Sequence, residues 1–444
     1  MITKRDRVVI IGAGVTGTAA AKVLLEYTNV SQVILIEKRS GVAQVNSHPL
    51  NNAQTSHDGS TETNYDLGHA LRIKPSATAL RRYAVSKGDP KLFQKTLRMC
   101  LAVGPKEVLL LEKRYREFKP HYPDLHLAYR EELARIEPKV VEGRDRSEII
   151  SALVSTEGFI INYQELAKHF LADAERDPRF KAVFNSSVKK IVRRDDLYLI
   201  QTDSFTISAD VVLFASGPYS LLFAQQLGYG TDYAILPVAG SFYSSGEFLR
   251  NKVYRVQIEG MPFAAIHGDP DILDMRDTRF GPTTKPLPLM ERHQYGTSKD
   301  FLRLPLLSTL RGLGSLLKII WSKQLLTYVI KNILFDLPVI GPALFLREVR
   351  PIVPTIRYRD LKLRRGAGGI RPQIVNLKTQ ELEMGDATLV GENAIFNTTP
   401  SPGASVCLGN AHRDAKKIVG FLGPDYYFDE DKFQRELGEL PKSA

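Results

Sequence analysis

RVVIIGAGVTG, residues 7–17, opens the chain and decides its fold. Arg7 to Ile11 form an apolar, β-branched run suited to a strand buried on both faces. Glycines follow at 12, 14 and 17, and then a helix-forming stretch, TAAAKVLLEY. Gly12 permits the tight turn, Gly14 lets backbone approach a pyrophosphate, and Gly17 lets the helix pack closely on the strand. The helix start presents free N–H groups and the positive end of its dipole. A second strand, QVILIEKR, carries Glu37 twenty residues after Gly17. A carboxylate there accepts hydrogen bonds from ribose hydroxyls. The combination predicts a dinucleotide-binding βαβ unit, with Gly12, Ala13, Gly14, Val15, Thr16, Gly17, Glu37 and Lys38 around the ligand.

The bulk numbers place this unit in an ordinary globular chain. Its 444 residues exceed one compact core, and 43% hydrophobic with 25% charged residues excludes disorder as the main state. Two cysteines, Cys100 and Cys407, form no disulfide framework and no CxxC pair, which points to a reducing compartment and no structural zinc. The N-terminus lacks a signal peptide's apolar stretch, and no run is long and apolar enough to span a bilayer. A cytoplasmic protein is expected. The net charge of +11 calls for an anionic partner, and its position along the chain selects which.

Nicotinamide or flavin is decided further along. ISADVVLFASG, residues 207–217, is a strand entering a small-residue turn, as in two-dinucleotide-domain flavoproteins where such a late strand returns to FAD. A nicotinamide enzyme would more often continue strand and helix alternation through its first 150 residues, whereas residues 75–150 read as mainly helical and charged. FAD is therefore the expected cofactor, with Ala215, Ser216, Gly217 and Val188 beside it.

GVAQVNSHPLNNAQTSHDGSTETNY (41–65) resembles the GVAQ…NNAGTGH…ELNY run of the malate:quinone oxidoreductase family. EPKVVEGRD (137–145), TEGFIINYQELAKHF (156–170), PVAGSF (237–242) and SPGAS (401–405) resemble further stretches of that family. Its broader relatives are the L-2-hydroxyglutarate, glycine and D-amino-acid oxidases. One departure is that the family's Gly-Thr-Gly is Gln-Thr-Ser at 54–56. The segment RRGAGGIRPQ (364–373) is more similar to the 2-hydroxyglutarate and glycine oxidases.

The resemblance implies that a flavin accepts hydride from the α-carbon of a small 2-hydroxy acid while a base removes the hydroxyl proton. His57 falls on the histidine of the NNAxTxH motif, and a group titrating near 6.5 suits a base. It could equally hydrogen-bond the flavin or cap the loop. His48, His69 and His267 are less well placed. Arg371, in GGIRPQ, matches the position where the amine-oxidising relatives hold the substrate carboxylate, and a planar guanidinium suits that task; the alternative is a surface arginine. Arg279 is a second anchor, with Lys285 behind it. Gly369 lets backbone approach the flavin. Pro402, Gly403, Ala404 and Ser405 form a turn opening a helix whose dipole would face the flavin. Asn51, Asn52 and Thr55 either donate to flavin and substrate or satisfy their own loop.

Residues 303–347 hold six cations (Arg303, Arg311, Lys318, Lys323, Lys331, Arg347) and one acid, Asp336, among aliphatics, Trp321 and Tyr328. Prolines break the stretch into two or three helices. Such helices suit a membrane surface, from which a quinone could reach the flavin, or else pack inward in a substrate domain. No nucleic-acid motif accompanies them, and no metal site is expected.

The expected architecture is α/β: a discontinuous FAD domain with a parallel sheet (1–80, 150–225 and 365–444), into which a mostly antiparallel substrate domain is inserted (81–149 and 226–364). ILPVAGSFYSS, KVYRVQI and REVRPIVPTIR are its predicted strands, and 75–135 is predicted helical. The leading function is a 2-hydroxy-acid:quinone oxidoreductase acting on malate or 2-hydroxyglutarate, peripheral on the cytoplasmic face of a membrane. A soluble oxidase of hydroxy or amino acids, a non-catalytic flavin protein and a flavin-dependent tRNA-modifying protein are the alternatives.

Overall fold

A computed structural model describes residues 6–257, 265–321, 323–383, 388–398 and 402–440. The opening strand Arg7–Ile11 lies inside a six-stranded sheet in the order Thr388–Gly391, Ala394–Asn397, Val211–Phe214, Arg7–Ile11, Gln32–Ile36, Phe180–Val183. All neighbours are parallel except the Thr388–Gly391 edge pair. Val8 and Ile10 point into a core formed with helices Val15–Tyr27, Tyr163–Ala174 and Cys407–Leu422. Val9 and Ile11 point the other way, onto a three-stranded sheet built from Val188–Arg194, Leu197–Thr202 and Thr206–Ala209. Side chains of alternate residues are buried on opposite faces, so Val8 to Ile11 are all apolar. Burying each of these four contributes about 1.5–3 kcal/mol.

The late strand Val211–Phe214 pairs directly with Arg7–Ile11, with Ile11 opposite Phe214. Ala215 and the glycine turn thus emerge side by side at one end of the sheet.

An eight-stranded, mainly antiparallel sheet carries the second large core. One of its inner strands is Phe93–Val103, eleven residues long. Within the stretch predicted helical, this segment is therefore a correction, while Leu67–Lys87, Pro105–Phe118 and Arg130–Ile136 are helices. Met99 and Leu101 enter one core and Cys100 and Ala102 another, so from Met99 to Val103 the run is apolar without the alternation that marks a half-buried strand. Pairing with Ile150–Ile161 on one side and Lys252–Arg255 on the other overrides local propensity. Ile150–Ile161 runs between the two large cores, placing Ala152 and Val154 in one and Phe159 and Ile161 in the other.

A four-stranded antiparallel sheet sets Tyr233–Ala239 against Ile370–Asn376, with Val238 opposite Arg371. ILPVAGSFYSS and KVYRVQI thus contain strands Tyr233–Ala239, Tyr243–Ser244 and Lys252–Arg255, and Ile258 lies outside the described residues. REVRPIVPTIR does not form a strand. A helix, Ile340–Val349, ends in it and turns follow, since Pro351 and Pro354 have no N–H for a ladder. Ile352, Val353 and Ile356 are buried in the second core. The acidic tail forms a helix, Glu430–Leu437, seated by Phe433 and Leu437.

Candidate active site

One cavity of about 540 Å³ runs along the ends of the parallel strands. At one end it is floored by Gly12, Gly14, Val15 and Thr16. Gly12 has φ +105°, and a Cβ there would lie 2.6 Å from the Ala215 carbonyl oxygen, so no other residue fits. The helix Val15–Tyr27 starts at Gly14 with no side-chain cap and no acid in its first turn. Its N–H groups and dipole are left facing the cavity, an arrangement suited to an anion.

Ala13 and Gly17 do not line the cavity; they build the turn. Ala13 N–H donates to Glu37 at 2.7 Å, and a Cβ on Gly17 would fall 1.9 Å from the Gly12 carbonyl oxygen. The Glu37 carboxylate also accepts from the Arg39 N–H at 2.8 Å, which aims it across the turn. Lys38 lines the cavity, but its ammonium pairs with Glu291 and sits 4.2 Å over the Tyr219 ring. Val188 lines the wall near this end, as do Ala215, Ser216 and Gly217.

The other end is built from the loop 46–57, the start of the Ile370–Asn376 strand and the turn Pro402–Ser405. Asn46 joins the first two, donating to the Ile370 carbonyl at 2.9 Å and accepting the Ile370 N–H at 3.2 Å. A Cβ on Gly369 would meet the Asn51 carbonyl at 2.5 Å, so here the backbones of strand and loop also meet directly. Asn51 and Asn52 line the cavity, yet their amides are held by loop carbonyls: Asn51 donates to Val45 (2.8 Å), and Asn52 to His48 (2.9 Å). Thr55 Oγ1 donates to the Ala53 carbonyl at 2.9 Å. Pro402, Gly403, Ala404 and Ser405 face the cavity ahead of the Cys407–Leu422 helix, and Ser401 lies outside the described residues. Ser405 Oγ accepts the His57 N–H at 3.0 Å and donates to the Thr55 carbonyl at 3.0 Å, tying the turn to the histidine loop.

The departure at Gln54 has a structural counterpart. Gln54 adopts φ +51°, the left-handed backbone that a glycine takes without strain. Its side chain stabilises that geometry: Nε2 donates to the Pro49 carbonyl (3.0 Å) and to Asp271 (2.8 Å), and Oε1 accepts the Ile272 N–H (2.9 Å).

His57 lines the cavity, and its Nδ1 lies 2.9 Å from Glu62 Oε1. Arg371 lines it too; the groups facing it are the phenols Tyr65 and Tyr328, and no carboxylate among the described residues pairs with it. Burial pushes the Arg371 guanidinium below its ordinary pKa. The structure thus brings His57, Arg371, Gly369 and the Pro402–Ser405 turn to one chamber.

Arg279, expected as a second anchor, is not in that chamber. It is fully buried behind the loop, paired with Asp269 at 2.8 Å and donating to the Asn52 carbonyl at 3.2 Å. Its charge is balanced there, and it supports the loop from below. Lys285 pairs with Asp336. His48 caps a short turn at Leu50, and His69 stacks on Tyr65 at 4.3 Å. His267 is buried, and burial followed by Lys252 pushes its pKa down to about 3.

Residues missed from the sequence include Glu62, Asn46, Tyr163 and the three arginines that hold the histidine loop. Arg98 donates to the Ser56 carbonyl (2.6 Å), Arg81 to Asp58 (2.7 Å), and Arg114 to the carbonyls of Gly59 (2.8 Å) and Glu62 (2.9 Å). Glu62 and Tyr163 had a signal, since TETNY lies over the family's ELNY and Tyr163 falls within the family-like TEGFIINYQELAKHF.

The class follows from fold and site. The chain has the fold of the FAD-dependent oxidases of the glycine oxidase superfamily. L-α-glycerophosphate oxidase from Mycoplasma pneumoniae, solved with FAD bound, superposes with a TM-score of 0.64 at 17% identity, covering 93% of this chain and 94% of that one. Glycine oxidase from Geobacillus kaustophilus gives 0.62 at 15% identity, covering 94% and 95%. Within that class, the malate:quinone oxidoreductase family model matches residues 4–411, and the chain belongs to this family. The probable malate:quinone oxidoreductase of Helicobacter acinonychis is 38% identical over 440 residues, 97% of each chain. The probable malate:quinone oxidoreductase of Campylobacter jejuni is 37% identical over 447 residues, 97% of this chain and 98% of that one.

Proposed function

We propose that the protein oxidises malate at its hydroxyl-bearing carbon, with FAD as cofactor and a quinone as electron acceptor. The observation that carries this is a single cavity joining an uncapped helix start to His57 and Arg371, in a chain of this family. The residues present fit FAD. The glycine turn and helix start suit its pyrophosphate, Glu37 its ribose, and the surface around Val188 and Ala215–Gly217 its adenine side. Asn51, Asn52, Thr55, Gly369 and Pro402–Ser405 suit its ring. When bound, the flavin supplies the two-electron acceptor. The chain's own residues do the rest: Arg371 holds a substrate carboxylate, and His57 Nε2 takes the hydroxyl proton.

In this reading the parallel sheet and its helices (1–80, 150–225 and 365–444) hold the cofactor. The remainder (81–149 and 226–364) shapes the substrate side.

The acceptor's route is read from helices Leu310–Ile320 and Lys323–Leu334. More than half of the large apolar side chains left in solvent among the described residues fall between Leu302 and Ile340. Leu310 is 89% exposed and Trp321 86%. Among the described residues no helix is long and apolar enough to cross a membrane. An outward apolar face with Arg311 and Lys318 nearby suits the surface of an anionic bilayer, here its cytoplasmic face, where lipid-soluble quinone resides. Lys318 and Lys331 also pair with Glu381 and Glu348, so the apolar face is the stronger part of this argument. Leu310→Gln, Leu317→Gln and Trp321→Gln together are expected to reduce binding to anionic liposomes by about tenfold or more, with the melting temperature unchanged. Equal co-sedimentation of wild type and variant removes the membrane surface from the proposal.

The reaction is tested by anaerobic mixing of the flavoprotein with malate, 2-hydroxyglutarate, lactate and a set of amino acids. Malate is expected to bleach the flavin fastest, and a quinone to reoxidise it faster than oxygen does. Bleaching by amino acids alone excludes the hydroxy-acid reading; reoxidation by oxygen alone makes the protein an oxidase.

A further inference from the structure

We propose that Glu62 is the positioning residue of this site: it accepts the Nδ1–H of His57, fixes the ring's tautomer and leaves Nε2 bare for the substrate hydroxyl. The inference rests on the reading of His57 as the base.

The geometry is that of an oriented dyad. Glu62 Oε1 stands 2.9 Å from His57 Nδ1 and 3.4 Å from Arg98, and the carboxylate is 4% exposed. No hydrogen-bond partner engages Nε2 among the described residues, and His57 reaches the cavity. Glu62 is itself anchored. Arg98 bridges it to Asp58, and Ser60 Oγ accepts from Arg98 at 2.7 Å. Arg81 closes the far side of Asp58. Two arginines thus neutralise two buried carboxylates, and Arg114 clamps the backbone of Glu62. Burial, the Arg98 contact and the clamped backbone hold Oε1 beside the imidazole.

The charges work in the required direction. Burial opposes ionisation of Glu62, but Arg98 and then His57 outweigh it, so its carboxyl stays below the usual range. Arg98, Arg114, Asp58 and the phenols Tyr254, Tyr65 and Tyr122 surround this carboxylate. His267 faces His57 and is neutral above about pH 3, so it adds no competing charge. When the hydroxyl proton moves to Nε2, the imidazole gains one positive charge. The His57–Glu62 pair then passes from net −1 to neutral, with no proton needed by Glu62.

Glu62→Gln keeps the shape and an acceptor for Nδ1–H but removes the charge. The expected result is a fall in kcat/KM for malate of about 10- to 100-fold, the scale of losing a partner that orients a functional side chain. The acid limb of the pH profile is expected to move to lower pH, because the imidazolium has lost its counter-charge. The deficit is therefore deepest at neutral pH and shrinks toward acid. Glu62→Asp is expected to return the limb toward its wild-type position. A second readout needs no turnover. In ¹⁵N-histidine spectra, with His57→Gln identifying the resonances, wild-type His57 is expected to carry its proton on Nδ1, and Glu62→Ala to shift it toward Nε2.

An acid limb and tautomer unmoved in the Glu62 variants, with changes only in melting temperature or flavin content, make Glu62 structural and overturn the inference. Wild-type turnover in His57→Gln instead overturns the reading of His57 as base, and the tautomer measurement tells the two failures apart.

Discussion

His57→Gln is expected to slow reduction of the bound flavin by malate about 10²- to 10⁴-fold, the range supplied by a positioned general base. Glutamine can still donate to Glu62 from its amide, and the backbone N–H that reaches Ser405 is untouched. Loop geometry and cofactor content should therefore survive, and the loss should appear in the rate at saturating malate. A residual rate that rises steeply with pH is expected, because hydroxide then replaces the missing base. Stopped-flow bleaching at several pH values measures both. Rates equal to wild type across that range eliminate His57 from the proton transfer, and the cavity would need another acceptor.

The parts of the fold and site legible in the sequence were those fixed by local chemistry. The glycine turn could be read because a Cβ at Gly12 or Gly17 collides with backbone, which leaves one residue type. The Val211–Phe214 strand could be read because its run is apolar and ends in small residues. The glycine before Arg371 could be read as a place of close backbone approach, and the structure puts the Asn51 carbonyl beside Gly369. The illegible parts depend on partners distant in sequence. Phe93–Val103 offered a helical spacing, and only its neighbours make it a strand buried on both faces. Arg98 within it carries no local signal of its role, yet it is 0% exposed and serves a loop some forty residues earlier. Arg279 was misjudged for the same reason, since its partner Asp269 lies across a hairpin that the sequence does not announce. Charge alone does not say whether an arginine awaits a ligand or already has its counter-ion.

That distinction separates Arg279 from Arg371 and leads to the second large effect. Arg279 has a carboxylate at 2.8 Å; among the described residues Arg371 faces only phenols, and burial already works against its charge. A cation held without a counter-ion destabilises the empty protein, and a substrate carboxylate supplies what is missing. Arg371→Met is therefore expected to act in opposite directions on two measurements. Without substrate the variant should melt slightly higher than wild type, because a poorly solvated charge has been removed. With malate, kcat/KM should fall about 10²- to 10³-fold, the scale of about 3–4 kcal/mol for losing one partner of a desolvated charge pair. The stabilisation by malate or its 2-oxo product should disappear. Arg371→Lys restores the charge but not the planar fork, and recovery should be partial. Flavin content should match wild type in both variants, since Gly369 and the backbone around it are unchanged. Had Arg371 been structural, as Arg279 is, its loss would lower the melting temperature and leave malate binding intact. Both measurements must move as described for Arg371 to be the carboxylate anchor.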